Sequence, residues 1–281
     1  MPAEVARSRL PIDPARVSAL LAGGGRWRVT HTSVTGSTNA DLAAMRAEPH
    51  GLVLTTEEQL TGRGRSGRDW LCPAGAGLMF SVLLRLPQVP AERRGWTGAV
   101  LGVAIVRALD SFGVRAQLKW PNDVLIDGAK CAGILGEVAD GALVVGAGIN
   151  VSLQAAELPR ADATSLWLAG PVPGTEPAIP SGDGGPLDRA ALLAAILDRF
   201  GELIEAWAAA TGDIDAAGLR ADYRSVCATI GARVRLLLPG GGRAVGTAVD
   251  VAPDGALLVR DDAGRQRVFA AADVVHLRPD R

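Results

Sequence analysis

Gly62-Arg63-Gly64-Arg65-Ser66-Gly67 follows an apolar run, Leu52 to Thr56, that reads as a strand, and the reading of this hexapeptide decides the fold. Its spacing is G-x-G-x-x-G. In dinucleotide-binding folds such glycines turn a strand into a helix whose N-terminus takes a pyrophosphate, with an acid about 20 residues further on. The downstream residues refuse that context: Pro73, Gly75 and Gly77 forbid a helix directly after the loop, and the residues around Pro87 supply no acid. What remains is Arg63, Arg65 and Arg68 on a backbone whose glycines permit close approach. Guanidinium forks match carboxylate and phosphate oxygens. Three of them repel one another when empty, so the segment is expected to order around an anion. A solvated arginine-rich loop, or a weak nucleic-acid contact, is the alternative reading of the same residues.

A second cluster, Lys119-Trp120-Pro121-Asn122-Asp123, stands at a strand end, where Pro121 interrupts the hydrogen-bond ladder. Lys130 opens the next strand, Cys131 to Glu137, whose other residues are mostly apolar. A cation there is costly unless its charge is used or reaches water. Ala132, Gly133 and Gly136 are expected to let a flat ligand lie against the sheet. Lys119 and Lys130 as plain edge lysines is the competing reading. Gly146 to Asn150 ends a further strand with two glycines and an amide, a pattern equally served by a bulge and a turn.

Outward from these segments the chain alternates helix and strand. Asp13-Pro14 opens a short helix closed by Gly23 to Gly25, Trp27 to Thr32 reads as a strand, and Ser37-Thr38-Asn39 caps a helix to about Arg46. Leu78 to Leu86 is a long apolar strand, and Trp96 to Phe112 is a buried helix closed by Gly113. Val114 to Trp120, Val124 to Ile126, Cys131 to Ala139 and, after a turn at Asp140-Gly141, Ala142 to Val151 follow as strands. Pro, Gly and Ser dominate from Gly170 to Gly185, which reads as a surface loop or linker. Helices are expected over Leu187 to Thr211 and Ile214 to Cys227. Five short strands then begin at Val234, Val245, Ala256, Arg267 and Val274, the pattern of a small β-barrel. This predicts an α+β core over residues 1–228 and a β-barrel over 229–281.

Bulk properties narrow the function classes. The 281 residues are 48% hydrophobic and 21% charged, with a formal net charge of −1. That composition fits a soluble globular protein and offers no global attraction for DNA or a membrane. Three dispersed cysteines, Cys72, Cys131 and Cys227, read as reduced thiols in a cytoplasm. The longest apolar run, Ala99 to Val106, falls short of the roughly 20 residues a bilayer span requires. No Ser–His or Cys–His pair stands out as a covalent nucleophile.

Taken together, Ser37-Thr38-Asn39, Gln59 with Gly62 to Gly67, Arg68 with Trp70, Lys119 to Asp123, Lys130 with Gly133-Ile134-Leu135, and Gly148-Ile149-Asn150 resemble the bacterial biotin–protein ligases. The resemblance is strong over residues 30 to 155 and weak over the barrel. It rests on the pairing of G-R-G-R-x-G with K-W-P-N-D at this separation. It implies a class II synthetase-like core with a mixed sheet, followed by an SH3-like barrel. It also implies that biotin and Mg-ATP form biotinyl-5'-AMP, and that biotin then passes to a lysine of a biotin carboxyl carrier domain of an acyl-CoA or pyruvate carboxylase.

By position, the resemblance makes Ser37, Thr38, Asn39, Gln59, Arg63, Gly64, Arg65, Lys130 and Gly133 the biotin-binding residues. Arg65, Arg68, Trp70, Lys119, Asn122 and Asn150 would bind ATP, with Trp70 covering the adenine. Arg63, Arg65, Lys130 and Asp123 would be catalytic, Asp123 orienting or deprotonating the incoming lysine. Asp69 stands where the family often has a basic or small residue, which bears on nucleotide affinity, and Ser66 is a milder change. The residues before the first core strand are too few for the winged helix of the repressor-type ligases, so a monofunctional enzyme, monomer or homodimer, is expected. A lipoate–protein ligase of the same fold and a biotin-binding regulator without catalysis are the alternatives.

Overall fold

The computed structural model describes residues 9–45, 47–139, 142–170 and 188–277. Its elements are α1 (Pro14–Leu20), β1 (Arg28–Thr35), α2 (Thr38–Ala44), β2 (Leu52–Gln59), β3 (Gly77–Leu84), α3 (Thr97–Ser111), β4 (Gln117–Lys119), β5 (Asp123–Ile126), β6 (Ala129–Ala139) and β7 (Ala142–Asn150). They continue with α4 (Leu166–Ala169), α5 (Arg189–Ala209), α6 (Leu219–Val226), β8 (Arg233–Leu237), β9 (Arg243–Val251), β10 (Leu257–Arg260), β11 (Gln266–Phe269) and β12 (Asp273–His276). The Asp140-Gly141 turn, the loop expected from Gly170 to Gly185 beyond its first residue, Leu187 and Arg46 lie outside the described residues.

Local chemistry sets the helix ends. Asp13 accepts a hydrogen bond from the Ala15 amide with Pro14 at the first helical position of α1, and Ser37 accepts from the Ala40 amide of α2. Two expected elements are shorter than the pattern predicts. Val114 does not begin a strand, because its amide donates to Leu109 O while Gly113, at positive φ, donates to Asp110 O; the residue is consumed in closing α3. Ile214 does not begin α6, because Asp213 accepts from the amides of Asp215 and Ala216, and Gly218 (φ 74°) then reverses the chain.

β1 to β7 form one mixed sheet in the order β1-β2-β3-β7-β6-β5-β4, in which the β1–β2 pair is parallel and the rest antiparallel. Alternation along the strands separates two faces. Val53, Phe80, Val82, Val145 and Ala132 turn to a large core with α3 and α5. Leu52, Leu54, Leu83 and Val144 turn the other way and meet Leu42 of α2. Among the described helices only α2 covers that second face, and the glycine-rich part of the sheet beyond it is left free of helices.

The five-stranded antiparallel sheet β11-β10-β9-β8-β12 packs on the core through two indoles. Trp96 Nε1 donates to Ala252 O (3.2 Å) and Trp120 Nε1 to Gly255 O (3.0 Å). Behind β2, Arg189 is buried but not stranded: it donates to Glu57 Oε2 (2.6 Å), Leu10 O (2.6 Å) and Gly77 O (2.8 Å). A paired buried charge of this kind fixes the chain before β1 against the sheet. No helix among the described residues is long and apolar enough to cross a membrane.

Candidate active site

The open face of the sheet forms the floor of a cavity of about 930 Å³. Every residue named from the sequence as a biotin, nucleotide or catalytic group lines it: Ser37, Thr38, Asn39, Gln59, Arg63, Gly64, Arg65, Arg68, Trp70, Lys119, Asn122, Asp123, Lys130, Gly133 and Asn150. A smaller hollow of about 450 Å³ lies between the start of α3, β6 and the 251–256 turn, and shares Arg65, Trp120, Pro121, Asn122, Ile134 and Leu135 with it.

One end of the large cavity is a set of neutral hydrogen-bonding groups. Capping by Ser37 places Thr38 and Asn39 in the first turn of α2, both buried. Gln59 Oε1 accepts from the Thr38 amide (2.9 Å) and hydroxyl (3.2 Å). Asn39 Nδ2 donates to Leu135 O (3.1 Å) and to Glu137 Oε2 (2.8 Å). Ser81 Oγ lies 2.7 Å from Thr38 Oγ1 and 2.6 Å from Asn39 Oδ1, and the sequence reading missed it. The available signal was a lone hydroxyl inside the apolar strand β3, in register with Gly146, a position where any Cβ would collide with Asn39 and Ser81.

Glycines shape the centre. Gly133 and Gly148 face each other across β6 and β7, and the Trp70 indole lies on both. The flat floor is therefore Gly133 with Gly148 and Gly146. Ala132, expected there, is fully buried on the core side, and Gly136 lies on the same side because residues two and four apart share a face. Trp70 Nε1 is buried and has no hydrogen-bond partner among the described residues. Gly148→Ala must displace this ring, since a Cβ would sit inside the indole's contact distance. Biotin affinity in that variant is expected to fall by about tenfold or more in titration calorimetry. An unchanged affinity would mean that the ring does not border the ligand.

The charged groups converge at the other end. The turn between β4 and β5 holds a cis Trp120–Pro121 peptide, and it sets Lys119 opposite Asp123. Asn122 is bound into the sheet, donating Nδ2 to Ile134 O (3.0 Å). Asp123 Oδ1 lies 2.5 Å from Lys130 Nζ. The arginine loop is a narrow hairpin: the backbones of Arg63 and Asp69 form an antiparallel bridge, Gly64 N donates to Arg68 O (2.6 Å), and Trp70 N donates to Gly62 O (2.9 Å). Arg65 is half-buried, and burial pushes its guanidinium down from the usual arginine value while Asp273 and Asp123 oppose that shift. Such a cation is short of counter-charge. Arg68 Nη2 reaches Asp273 Oδ1 (2.6 Å) on β12, so the barrel also forms a wall of the cavity.

The sequence reading missed the segment 160–164 as well. Lys130 N donates to Asp162 O (2.8 Å) and Thr164 N to Lys130 O (2.8 Å), laying this arm beside the lysine. Asn150 Nδ2 donates to Thr164 O (2.9 Å), while its Oδ1 is buried without a partner among the described residues. Arg160 and Asp162 pair on the cavity wall (2.5 Å). His276, lowered by burial and by the Lys119 charge, adds a neutral ring whose Nε2 lies 2.9 Å from Thr229 Oγ1. No local pattern in the sequence marks these contacts, because they form only when distant segments meet.

A polar slot for a neutral hydrogen-bonding ring thus leads, over a glycine floor, to a lysine and several arginines able to hold two anions side by side. Comparison with known proteins agrees. Residues 22–154 match the family model described as biotin/lipoate A/B protein ligase, and residues 229–277 match the biotin protein ligase C-terminal domain. The biotin--[acetyl-CoA-carboxylase] ligase of Mycobacterium tuberculosis is 41% identical, over 97% of this chain and 98% of that protein. Its namesake from Paracoccus denitrificans is 32% identical over 85% of this chain and 97% of that protein. A solved biotin protein ligase from Aquifex aeolicus, in complex with biotin and ATP, superposes with a TM-score of 0.71 and 26% identity, covering 89% of this chain and 99% of that one. The mixed-sheet core and the five-stranded SH3-like sheet are those of the biotin–protein ligases, and the chain belongs to that family.

Proposed function

We infer that this protein is a biotin–[biotin carboxyl carrier protein] ligase: it forms biotinyl-5'-AMP from biotin and Mg-ATP and passes biotin to a carrier lysine. The observation that carries the reading is one cavity holding both the Thr38–Asn39–Gln59 slot and the Arg63, Arg65 and Lys130 cations. In the slot, donors and acceptors surround a ureido ring, and the apolar tail crosses Gly133 and Gly148 under Trp70, whose place on this glycine floor favours the tail over the adenine that the resemblance implies. The biotin carboxylate then reaches Lys130.

In the first step a carboxylate oxygen attacks the α-phosphorus, the bond to the β-phosphate oxygen breaks, and pyrophosphate leaves. Lys130, Arg63 and Arg65 offset the repulsion between the two anions and the charge that develops between them. Asp123 holds Lys130 until the substrate oxygens replace it, which frees the carboxylate for the second step. There the carrier lysine attacks the acyl carbon, Asp123 takes its proton, and the acyl–oxygen bond breaks to release AMP. The closed hairpin keeps water from the anhydride. Magnesium is read as part of the Mg-ATP substrate, held by the nucleotide's phosphate oxygens. Residues 1–228 supply the chemistry in this reading, and 229–281 the wall against the loop.

The test is a transfer assay with a carrier domain from an acyl-CoA carboxylase, biotin and lipoate supplied in parallel with Mg-ATP. The carrier is expected to gain the mass of one biotinyl group, with one AMP and one pyrophosphate released per transfer. Lipoate transfer without biotin transfer would reverse the assignment.

A further inference from the structure

Glu137 touches the neutral slot from outside the ligand cavity. Alternation along β6 puts it on the open face with Gly133 and Leu135, in register with Val144, which packs against Leu42 of α2. It lines the smaller hollow, whereas Thr38, Asn39 and Gln59 line the large cavity. Glu137 is exposed, yet among the described residues its partner is the Asn39 amide and not a cation. A merely solvated glutamate has no need to reach a buried amide.

The contact decides which way the hydrogens of the slot point. Glu137 Oε2 and Leu135 O are both acceptors, so the Asn39 Nδ2 hydrogens must face them, at 2.8 and 3.1 Å. Asn39 Oδ1 is thereby turned to Ser81 Oγ, 2.6 Å away, and takes the Ser81 hydrogen because a carbonyl oxygen has none to give. Ser81 Oγ can then only accept across its 2.7 Å contact with Thr38 Oγ1. The Thr38 hydrogen is accordingly shared between Ser81 Oγ and Gln59 Oε1 (3.2 Å). What Asn39 Oδ1 and Thr38 Oγ1 have left to offer a ligand is lone pairs. Gln59 Nε2, bound only weakly among the described residues, to Met79 Sδ at 3.6 Å, keeps a hydrogen to donate. A ureido ring needs this polarity: acceptors for its two N–H groups and a donor for its carbonyl oxygen.

We propose that Glu137 is a positioning residue for biotin: it holds the Asn39 amide, and through it the Ser81 and Thr38 hydroxyls, in the polarity that a ureido ring can use. This rests on the ligase reading above. Leu135 O also disfavours a flipped amide, so loss of the carboxylate loosens Asn39 rather than inverting it. The cost is that of one hydrogen bond to a charged acceptor, reduced by water at an exposed site.

The experiment compares the full chain as wild type, Glu137→Gln, Glu137→Ala and Glu137→Lys in biotin-dependent ATP–pyrophosphate exchange. Glutamine keeps an acceptor for Asn39, alanine removes it, and lysine offers only donors. The biotin KM is expected to rise about five- to tenfold in Glu137→Ala and Glu137→Lys, and to stay within about twofold in Glu137→Gln. Both kcat and the ATP KM are expected to stay within about twofold throughout, because what is lost is binding shared by the ground and transition states. The Asn39 side-chain amide resonances, identified by their loss in Asn39→Asp, are expected to exchange with water faster in Glu137→Ala and Glu137→Lys than in the wild type.

An unchanged biotin KM in Glu137→Ala overturns the proposal. So does a KM that follows charge, lowest in Glu137→Lys, which would make Glu137 a plain repulsive charge on an anionic substrate. Equal shifts in the biotin and ATP KM values with a lowered unfolding temperature would mean that the substitutions act through the fold, and also overturn it. A wild type without biotin-dependent exchange is a different failure: it removes the ligase reading itself.

Discussion

Lys130→Ala is expected to lower the rate of biotinyl-adenylate formation by roughly 10²- to 10³-fold, the range found when one preorganised charge or donor is removed from a reacting oxyanion. The lysine stands at the start of β6, its position fixed by backbone hydrogen bonds to Asp162 and Thr164 rather than by its own side chain. Substitution therefore leaves the backbone in place. It also leaves Asp123 without its partner, and that carboxylate has a side-chain exposure of 20%, enough for water to solvate it. The expected stability loss is about 1–3 kcal/mol, between that of an exposed pair and that of a fully buried one. A Lys130→Ala/Asp123→Asn double variant removes the leftover charge and is expected to stay as slow as the single variant. The measurement is biotin-dependent ATP–pyrophosphate exchange together with thermal unfolding. A variant that exchanges at the wild-type rate makes Lys130 a bystander.

Arg65→Gly is expected to affect retention more than formation. Arg65 is half-buried with a desolvated guanidinium, so an anionic phosphoryl group gains more from it than from an exposed arginine. Losing one hydrogen bond between charged groups costs about 1.5–3 kcal/mol, which corresponds to an escape of biotinyl-adenylate about ten- to a hundredfold faster. Glycine next to Gly64 also loosens the hairpin that covers the anhydride. The freed adenylate then acylates lysines indiscriminately, and mass spectrometry of a protein mixture incubated with the variant reads this as scattered biotinylation. Labelling that stays confined to the carrier would show that the hairpin is not the lid.

Much of this arrangement was legible in the sequence because its chemistry is local. The arginines lie within one short loop, Pro73, Gly75 and Gly77 alone suffice to reject a helix after it, and Lys119 to Asp123 is contiguous. Helix caps at Asp13 and Ser37 announced α1 and α2 for the same reason. What could not be read depends on register or on domain packing. Whether Ala132 or Gly133 faces the ligand turns on a one-residue alternation that the β-bulge between Val124 and Leu125 of β5 resets. Ser81 matters because β3 sets it against Gly146, 65 residues away in sequence but adjacent in the sheet. The Arg68–Asp273 pair joins residues 205 positions apart, and the arm at 160–164 returns to Lys130 only in the folded chain.

The most direct test is a crystal structure with a non-hydrolysable biotinyl-adenylate analogue bound. The account predicts Lys130 Nζ released from Asp123, and Arg63 and Arg65 within hydrogen-bonding distance of the phosphoryl oxygens, with the bicyclic ring between Thr38, Asn39 and Gln59. A phosphoryl group lying away from these three cations, with Lys130 still on Asp123, would contradict it.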